Sequence, residues 1–146
     1  MYQFLEYHVS DFMSRNGVVV GRHTPLEEAE RLFERHDFNM LPVVDGSRLV
    51  GVLTKLDFLK AFSFGENRLL PHYREILRQE VGSVMTPNPA TVTPDTPVTR
   101  VLEKIVETRY RSFPVVDQGV LVGVISREDV VAALRKAAAG KTAHRA

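Results

Sequence analysis

The chain has 146 residues, 44% of them apolar and 25% charged, with 19 basic against 18 acidic side chains and a formal charge of +1. It contains no cysteine, which excludes disulfides, zinc–thiolate sites and thiol catalysis. The near balance of charge gives no electrostatic case for nucleic acid or a membrane surface as main partner, and no apolar run approaches spanning length.

The opening MYQFLEYHVSDF carries acids and lacks a basic-then-apolar leader pattern, so a cytoplasmic location is expected. Residues 18–20 are a short β-branched run suited to a strand. Thr24-Pro25 then opens a helix, with Thr24 as N-cap, Pro25 at the first helical position and Glu27 completing a capping box. Leu26, Ala29 and Phe33 follow at helical spacing and give that helix one core-facing stripe. Apolar runs at 41–44 and 49–53 flank Asp45-Gly46-Ser47-Arg48, which reads as a hairpin with a four-residue turn, Pro42 opening its first strand. A further helix starts at Thr54 and runs through Leu56, Leu59 and Ala61.

In the stretch SFGENRLLPHYREILRQE, Gly65 and Pro71 frame a break, and Tyr73, Ile76 and Leu77 predict a short connecting helix. After it the chain repeats itself. A shift of 72 positions brings Val9 onto Val81, and sixteen of the 53 pairs aligned without a gap are identical, well beyond what composition alone would produce. Thr24-Pro25 meets Thr96-Pro97, Pro42-Val43-Val44-Asp45 meets Pro114-Val115-Val116-Asp117, and Asp57 meets Asp129. The second copy carries the same grammar: a strand at 90–92, a helix striped by Val98, Val101 and Ile105, a hairpin turning at Asp117-Gln118-Gly119-Val120, and a last helix from Ser126 through Val130, Val131 and Leu134. AAAGKTAHRA reads as a fraying helix end and a solvated tail. Each unit is strand–helix–strand–strand–helix, with too little core to stand alone, so the two are expected to pack together. The expected division is 1–62 for the first repeat and its lead-in, 63–80 for a partly helical linker, 81–135 for the second repeat and 136–146 for the tail.

Met13-Ser14 and Met85-Thr86, the two Pro-Val-Val-Asp blocks, and the paired GVLTKLD and GVISRED blocks together resemble a tandem pair of CBS domains, called a Bateman module. The resemblance runs from residue 9 to residue 134. It implies an α/β (α+β) fold of two β-α-β-β-α repeats related by pseudo-twofold symmetry. It also implies a stand-alone regulatory protein, not an enzyme, that needs no cofactor and takes AMP, ADP, ATP or S-adenosylmethionine as effector. In the family, two clefts form between the paired units; the Asp of each block accepts from both ribose hydroxyls, and the Thr or Ser hydroxyl lies near the phosphate. A carboxylate can accept from two vicinal hydroxyls at once, and a helix N-terminus offers N–H groups to phosphate.

Carried over by position, the resemblance implies one cleft with Val52, Thr54 and Asp57, walled on the base side by Thr86, Thr91 and Tyr110. The other has Val124, Ser126 and Asp129, walled by Ser14, Val19 and Phe38. A phosphate contact is expected from Arg111, whose counterpart is Asn39, so an anionic ligand should prefer the Asp57 cleft; Lys55 and Arg127 could add charge in either. The resemblance further implies a homodimer, with Leu56, Leu59, Val130 and Val131 on the dimer face, and a regulated protein whose identity is unknown.

A plainer account of each hydroxyl-x-x-Asp block is a capping box with Asp in place of Glu, and both roles can hold together. Two repeat-related carboxylates fall in separate, similar environments, unlike the unlike-paired acids of a hydrolase. The five His residues suggest no metal site. Two other functions stand as alternatives: a docking scaffold with vestigial clefts, and nucleic-acid binding through Lys136, Lys141 and Arg145.

Overall fold

The structure, a computed structural model, describes residues 2–15, 17–63 and 73–145, with backbone only from 141 onward. Gly65 and Pro71, expected to frame a break, lie outside the described residues. In chain order the helices are α1 (Val9–Phe12), α2 (Leu26–Arg35), α3 (Lys55–Lys60), α4 (Tyr73–Arg78), α5 (Val98–Thr108) and α6 (Arg127–Arg145). The strands are β1 (Val20–Gly21), β2 (Met40–Asp45), β3 (Arg48–Thr54), β4 (Thr86–Pro87), β5 (Ser112–Asp117) and β6 (Val120–Ser126), and short 3-10 turns cover Tyr2–Glu6 and Val81–Ser83.

The chain forms two compact units that do not follow the repeat boundaries. One unit is Val18–Pro89; the other joins Met1–Gly17 to Ala90–Ala146. Each repeat therefore gives its lead-in to the body of the other repeat.

In the Val18–Pro89 unit, β1 runs parallel to β2 (Val20 opposite Val43), β2 antiparallel to β3, and β3 antiparallel to β4 (Val52 opposite Thr86). Leu26 and Ala29 of α2 bury their side chains with Val20, Leu41, Val43 and Leu53, as the stripe predicts, and Phe33 packs against that core. The predicted linker helix forms as α4 and belongs to this core through Ile76 and Leu77. Tyr73 ties α4 to α2 by donating to Glu30 (2.7 Å), and that carboxylate holds the phenol above its ordinary pKa.

The other unit repeats the plan. β5 and β6 are antiparallel, Val92 bridges Val115 in parallel, and Ser14 bridges Val124 in antiparallel. Val98 and Val101 lie in a core with Val9, Phe113, Val115, Ile125, Val130, Ala133 and Ala137, and Ile105 packs against it. The last helix is longer than its apolar pattern predicts. It continues to Arg145, and Ala137, expected in a solvated tail, is fully buried. Small side chains at 133 and 137 leave room for Phe4 in the same cluster.

Three local expectations are corrected. Thr24 does not cap α2, whose N-cap is Pro25 without a side-chain bond; its hydroxyl instead accepts from Gly21 N–H (2.9 Å) and closes the preceding turn. Thr96 does the same for Thr93 N–H (3.0 Å), and Glu27 pairs with Arg31 (3.0 Å) rather than completing a capping box. The hairpin turns have two residues, not four, because Asp45 pairs with Arg48 and Asp117 with Val120. Gly46 sits at φ +66°, while Gln118 and Gly119 sit at +52° and +82°, the twist that two-residue hairpins demand. Finally, Pro42 and Pro114 are third in their strands. The carbonyl of Pro114 still takes part in pairing, accepting from Val92 N–H (3.1 Å).

The lead-ins are held by bonds that repeat residue for residue. Val81 N–H donates to Thr24 O (2.8 Å), Gly82 N–H to Arg22 O (2.7 Å) and Leu26 N–H to Gln79 O (2.9 Å). In the other unit Val9 N–H donates to Thr96 O (2.9 Å), Ser10 N–H to Pro94 O (2.9 Å) and Val98 N–H to Tyr7 O (3.0 Å). Each lead-in then crosses a glycine. A Cβ on Gly51 would stand 2.6 Å from Met85 Sδ and 2.8 Å from Thr86 O; one on Gly123 would stand 2.6 Å from Ser14 O and 3.1 Å from Met13 Sδ. Replacing Gly51 or Gly123 with Ala should therefore cost about 1–3 kcal/mol in urea unfolding, the usual range for overpacking; an unchanged midpoint would show that the lead-in yields freely.

Candidate functional site

The two hydroxyl-x-x-Asp blocks stand where a strand passes into a helix. β3 ends at Thr54, whose extended backbone (φ −90°, ψ 163°) makes it the N-cap of α3. Thr54 Oγ1 accepts from Asp57 N–H (3.0 Å), and Asp57 Oδ2 accepts from Thr54 N–H (3.0 Å), a reciprocal capping box. In the second block Ser126 N–H donates to Asp129 Oδ2 (2.8 Å) and Asp129 N–H to Ser126 Oγ (3.2 Å). The plain account of these motifs is thus correct as far as it goes. It leaves unused acceptor capacity on each carboxylate.

The surroundings of the two acids differ. Asp57 is 8% exposed, the one buried charged side chain among the described residues, whereas Asp129 is half-buried. Thr86, expected on the base side, donates its hydroxyl to both oxygens of Asp57, 3.1 Å to Oδ1 and 3.0 Å to Oδ2. β4 holds it there by pairing with Val52. Its counterpart Ser14 bridges Val124 by the backbone (2.9 and 3.0 Å), and its side chain makes no hydrogen bond among the described residues. Asp129 takes its hydroxyl from its own block, Ser126 Oγ (3.0 Å), on the oxygen that already accepts Ser126 N–H.

The remaining expected site residues fall by unit. Val19 and Phe38 lie in the unit of Asp57 with Val52, Thr54 and Thr86; Thr91, Tyr110 and Arg111 lie in the unit of Asp129 with Ser14, Val124 and Ser126. Phe38 is half-buried and stacks on His36 with ring centres 4.9 Å apart; Tyr110 is 53% exposed, 5.9 Å from Phe113. Val52 is buried beneath β4, while Arg111 and Val19 are exposed. Lys55 is exposed, but Arg127 is committed elsewhere: its Nε donates to Tyr110 O (3.1 Å) and its Nη2 to Arg109 O. Those carbonyls follow the left-handed Arg109 (φ 63°) that ends α5, so Arg127 secures the segment carrying Tyr110 and Arg111. Sequence reasoning missed this role, although the basic residue was in view. It also gave no packing role to Met13 and Met85, whose thioethers lie over the glycines.

Two β-α-β-β-α repeats, each with a strand-end hydroxyl and an Asp turned back on it, define the class of fold. The family model for the CBS domain matches residues 9–63 and 81–136, and the chain belongs to that family. Among curated proteins, the chloroplastic CBS domain-containing protein CBSX2 of Arabidopsis thaliana is 32% identical over 150 residues, with 87% of this chain and 63% of that protein covered. The crystal structure of CBSX2 in complex with AMP matches with TM-score 0.76 and 33% identity over 89% of this chain and 97% of that one. MJ1225 of Methanocaldococcus jannaschii matches with TM-score 0.80 and 26% identity over 86% of this chain and 46% of that one. The CBS domain pair of protein MJ0100, crystallised with 5′-methylthioadenosine and S-adenosylmethionine, matches with TM-score 0.72 and 27% identity over 89% and 97%. The chain spans less than two thirds of the length of the first curated relatives it matches, 63% and 45% for two of them. No helix among the described residues is long and apolar enough to cross a membrane.

The bonding pattern ranks the two acids for stability. Asp57→Ala removes a cap and strands the Thr86 hydroxyl, and should cost about 1–3 kcal/mol in urea unfolding. Asp129→Ala should cost less, because that acid is half-buried and keeps only local partners; the reverse order would contradict this ranking.

Proposed function

We propose that this chain is a regulatory module that binds adenosine-containing effectors through Asp57 and Asp129, each accepting from a ribose diol. The observation that carries the reading is the reciprocal Thr54–Asp57 and Ser126–Asp129 geometry, which fixes each carboxylate at a strand end without exhausting its acceptor sites. The relatives support it. AMP, 5′-methylthioadenosine and S-adenosylmethionine share adenine and a 2′,3′-diol and differ only at the 5′ position. A carboxylate that reads the diol is indifferent to that variation. The Arg111 guanidinium is the group proposed to read a 5′ phosphate, guanidinium being a strong phosphate partner.

Effector occupancy would shift the packing of the chain or of a homodimer and so change its affinity for a regulated protein, in proportion to the effector's preference for one state. Of the residues proposed for dimer contact in such an assembly, Leu56, Leu59 and Val131 are 60%, 62% and 49% exposed. Val130 is withdrawn from it: at 2% exposure it lies on the inward stripe of α6 with Ala133 and Ala137.

Isothermal titration with AMP, ADP, ATP and S-adenosylmethionine tests the reading. Saturable binding should be seen with at least one of them, lost at one site in Asp57→Ala and at the other in Asp129→Ala, and absent for a 2′,3′-dideoxy analogue. Arg111→Ala should weaken AMP about tenfold while leaving adenosine unchanged, the loss expected for one charge-assisted phosphate contact. Absence of binding by every compound would leave a docking scaffold with vestigial sites as the function.

A further inference from the structure

The two blocks share a motif, yet one carboxylate is already occupied by a hydroxyl from outside its block. Thr86 Oγ1 lies 3.1 and 3.0 Å from the two oxygens of Asp57, a single donor lying across the carboxylate much as a ligand hydroxyl would. Asp57 Oδ2 also accepts Thr54 N–H (3.0 Å), so neither oxygen is left without a partner. On Asp129 both donors converge on Oδ2, and Oδ1 accepts no hydrogen bond among the described residues. Ser14, which stands where Thr86 stands in the other unit, carries the same hydroxyl group but makes no side-chain hydrogen bond to its Asp among the described residues.

We propose that Thr86 is a built-in competitor for the ribose-reading carboxylate, so that the two blocks bind an adenosine diol with unequal affinity and Asp129 fills first. The inference rests on the ribose reading above. A diol needs two acceptor positions on one carboxylate. Asp129 offers an open oxygen at half exposure, whereas Asp57 must first give up Thr86. The bond given up is charge-assisted, so the expected handicap is roughly tenfold or more in affinity. Thr86 lies on β4, whose backbone pairs with β3 at Gly51 and Val52. Filling the Asp57 block therefore changes a side-chain bond that joins β4 to the start of α3, and the second binding event differs structurally from the first.

Adenosine is the probe, because it carries the diol and no phosphate and so bypasses Arg111. Titration of the wild-type chain should resolve two classes of site separated at least tenfold, with Asp129→Ala removing the tighter class and Asp57→Ala the weaker. Thr86→Val, which keeps the shape and deletes the donor, should tighten the weaker class about tenfold, and Thr86→Ser should keep the wild-type difference. Equal wild-type sites, or an unchanged or weakened Asp57 site in Thr86→Val, would overturn the competitor role while leaving the ribose reading intact. No adenosine binding by any of these proteins would overturn both. If Thr86→Val does not fold, the assignment of the tighter class by Asp129→Ala and Asp57→Ala decides: a tight class that survives Asp129→Ala defeats the proposal.

Discussion

The passage of each lead-in across a glycine is the contact on which the rest of the structure depends. Gly51 and Gly123 carry no side chain because a sulfur and a backbone carbonyl lie where a Cβ would be. That closeness lets Thr86 pair with Val52 and Ser14 with Val124, which in turn places a hydroxyl-bearing residue beside each hydroxyl-x-x-Asp block. Val9 and Val81, both fully buried, anchor the other end of each lead-in with the same repeated hydrogen bonds. Burying one such aliphatic side chain is worth about 1.5–3 kcal/mol, a large contribution for a unit this small.

Because each lead-in comes from the repeat whose body it does not join, neither repeat is a complete folding unit. Val18–Pro89 contains the body of the first repeat, the connecting helix α4 and the lead-in of the second. The buried Ile76 and Leu77 make α4 part of that body rather than a tether. In the other unit the corresponding space is filled from the N-terminal side, where Phe4 joins the core and Tyr7 and Phe12 pack against it. Lys136 of α6 lies over both of these rings, 6.0 and 5.7 Å from their centres, adding a modest cation–π contribution to a half-buried aromatic pair.

The duplicated motif also shows how one local geometry yields two chemical environments. The backbone of each block is set by its capping box, which is indifferent to what surrounds it. Exposure of the carboxylate, and the identity of its second hydrogen-bond donor, come from a residue 29 positions away in the first block, Thr86, and from within the block in the second. The two lead-ins carry Thr and Ser at this position, so both present a hydroxyl, but only that of Thr86 bonds the carboxylate of its block.

Much of this protein was legible in its residues alone. The constant offset between copies, the helical stripes of Leu26, Ala29, Val98 and Val101, and the strand–helix junctions at Thr54 and Ser126 follow from periodicity and capping chemistry, which are local. Local rules misjudged Thr24 and Thr96 because a hydroxyl before Pro can close the preceding turn as readily as it can cap a helix. They shortened α6 because the alanines at 133 and 137 carry little hydrophobic signal until Phe4 arrives to cover them. What only the tertiary structure decided is which lead-in completes which body, and therefore that Thr86 meets Asp57 while Ser14 leaves Asp129 open. Those contacts join residues far apart in sequence, and no spacing rule along one chain carries information about them.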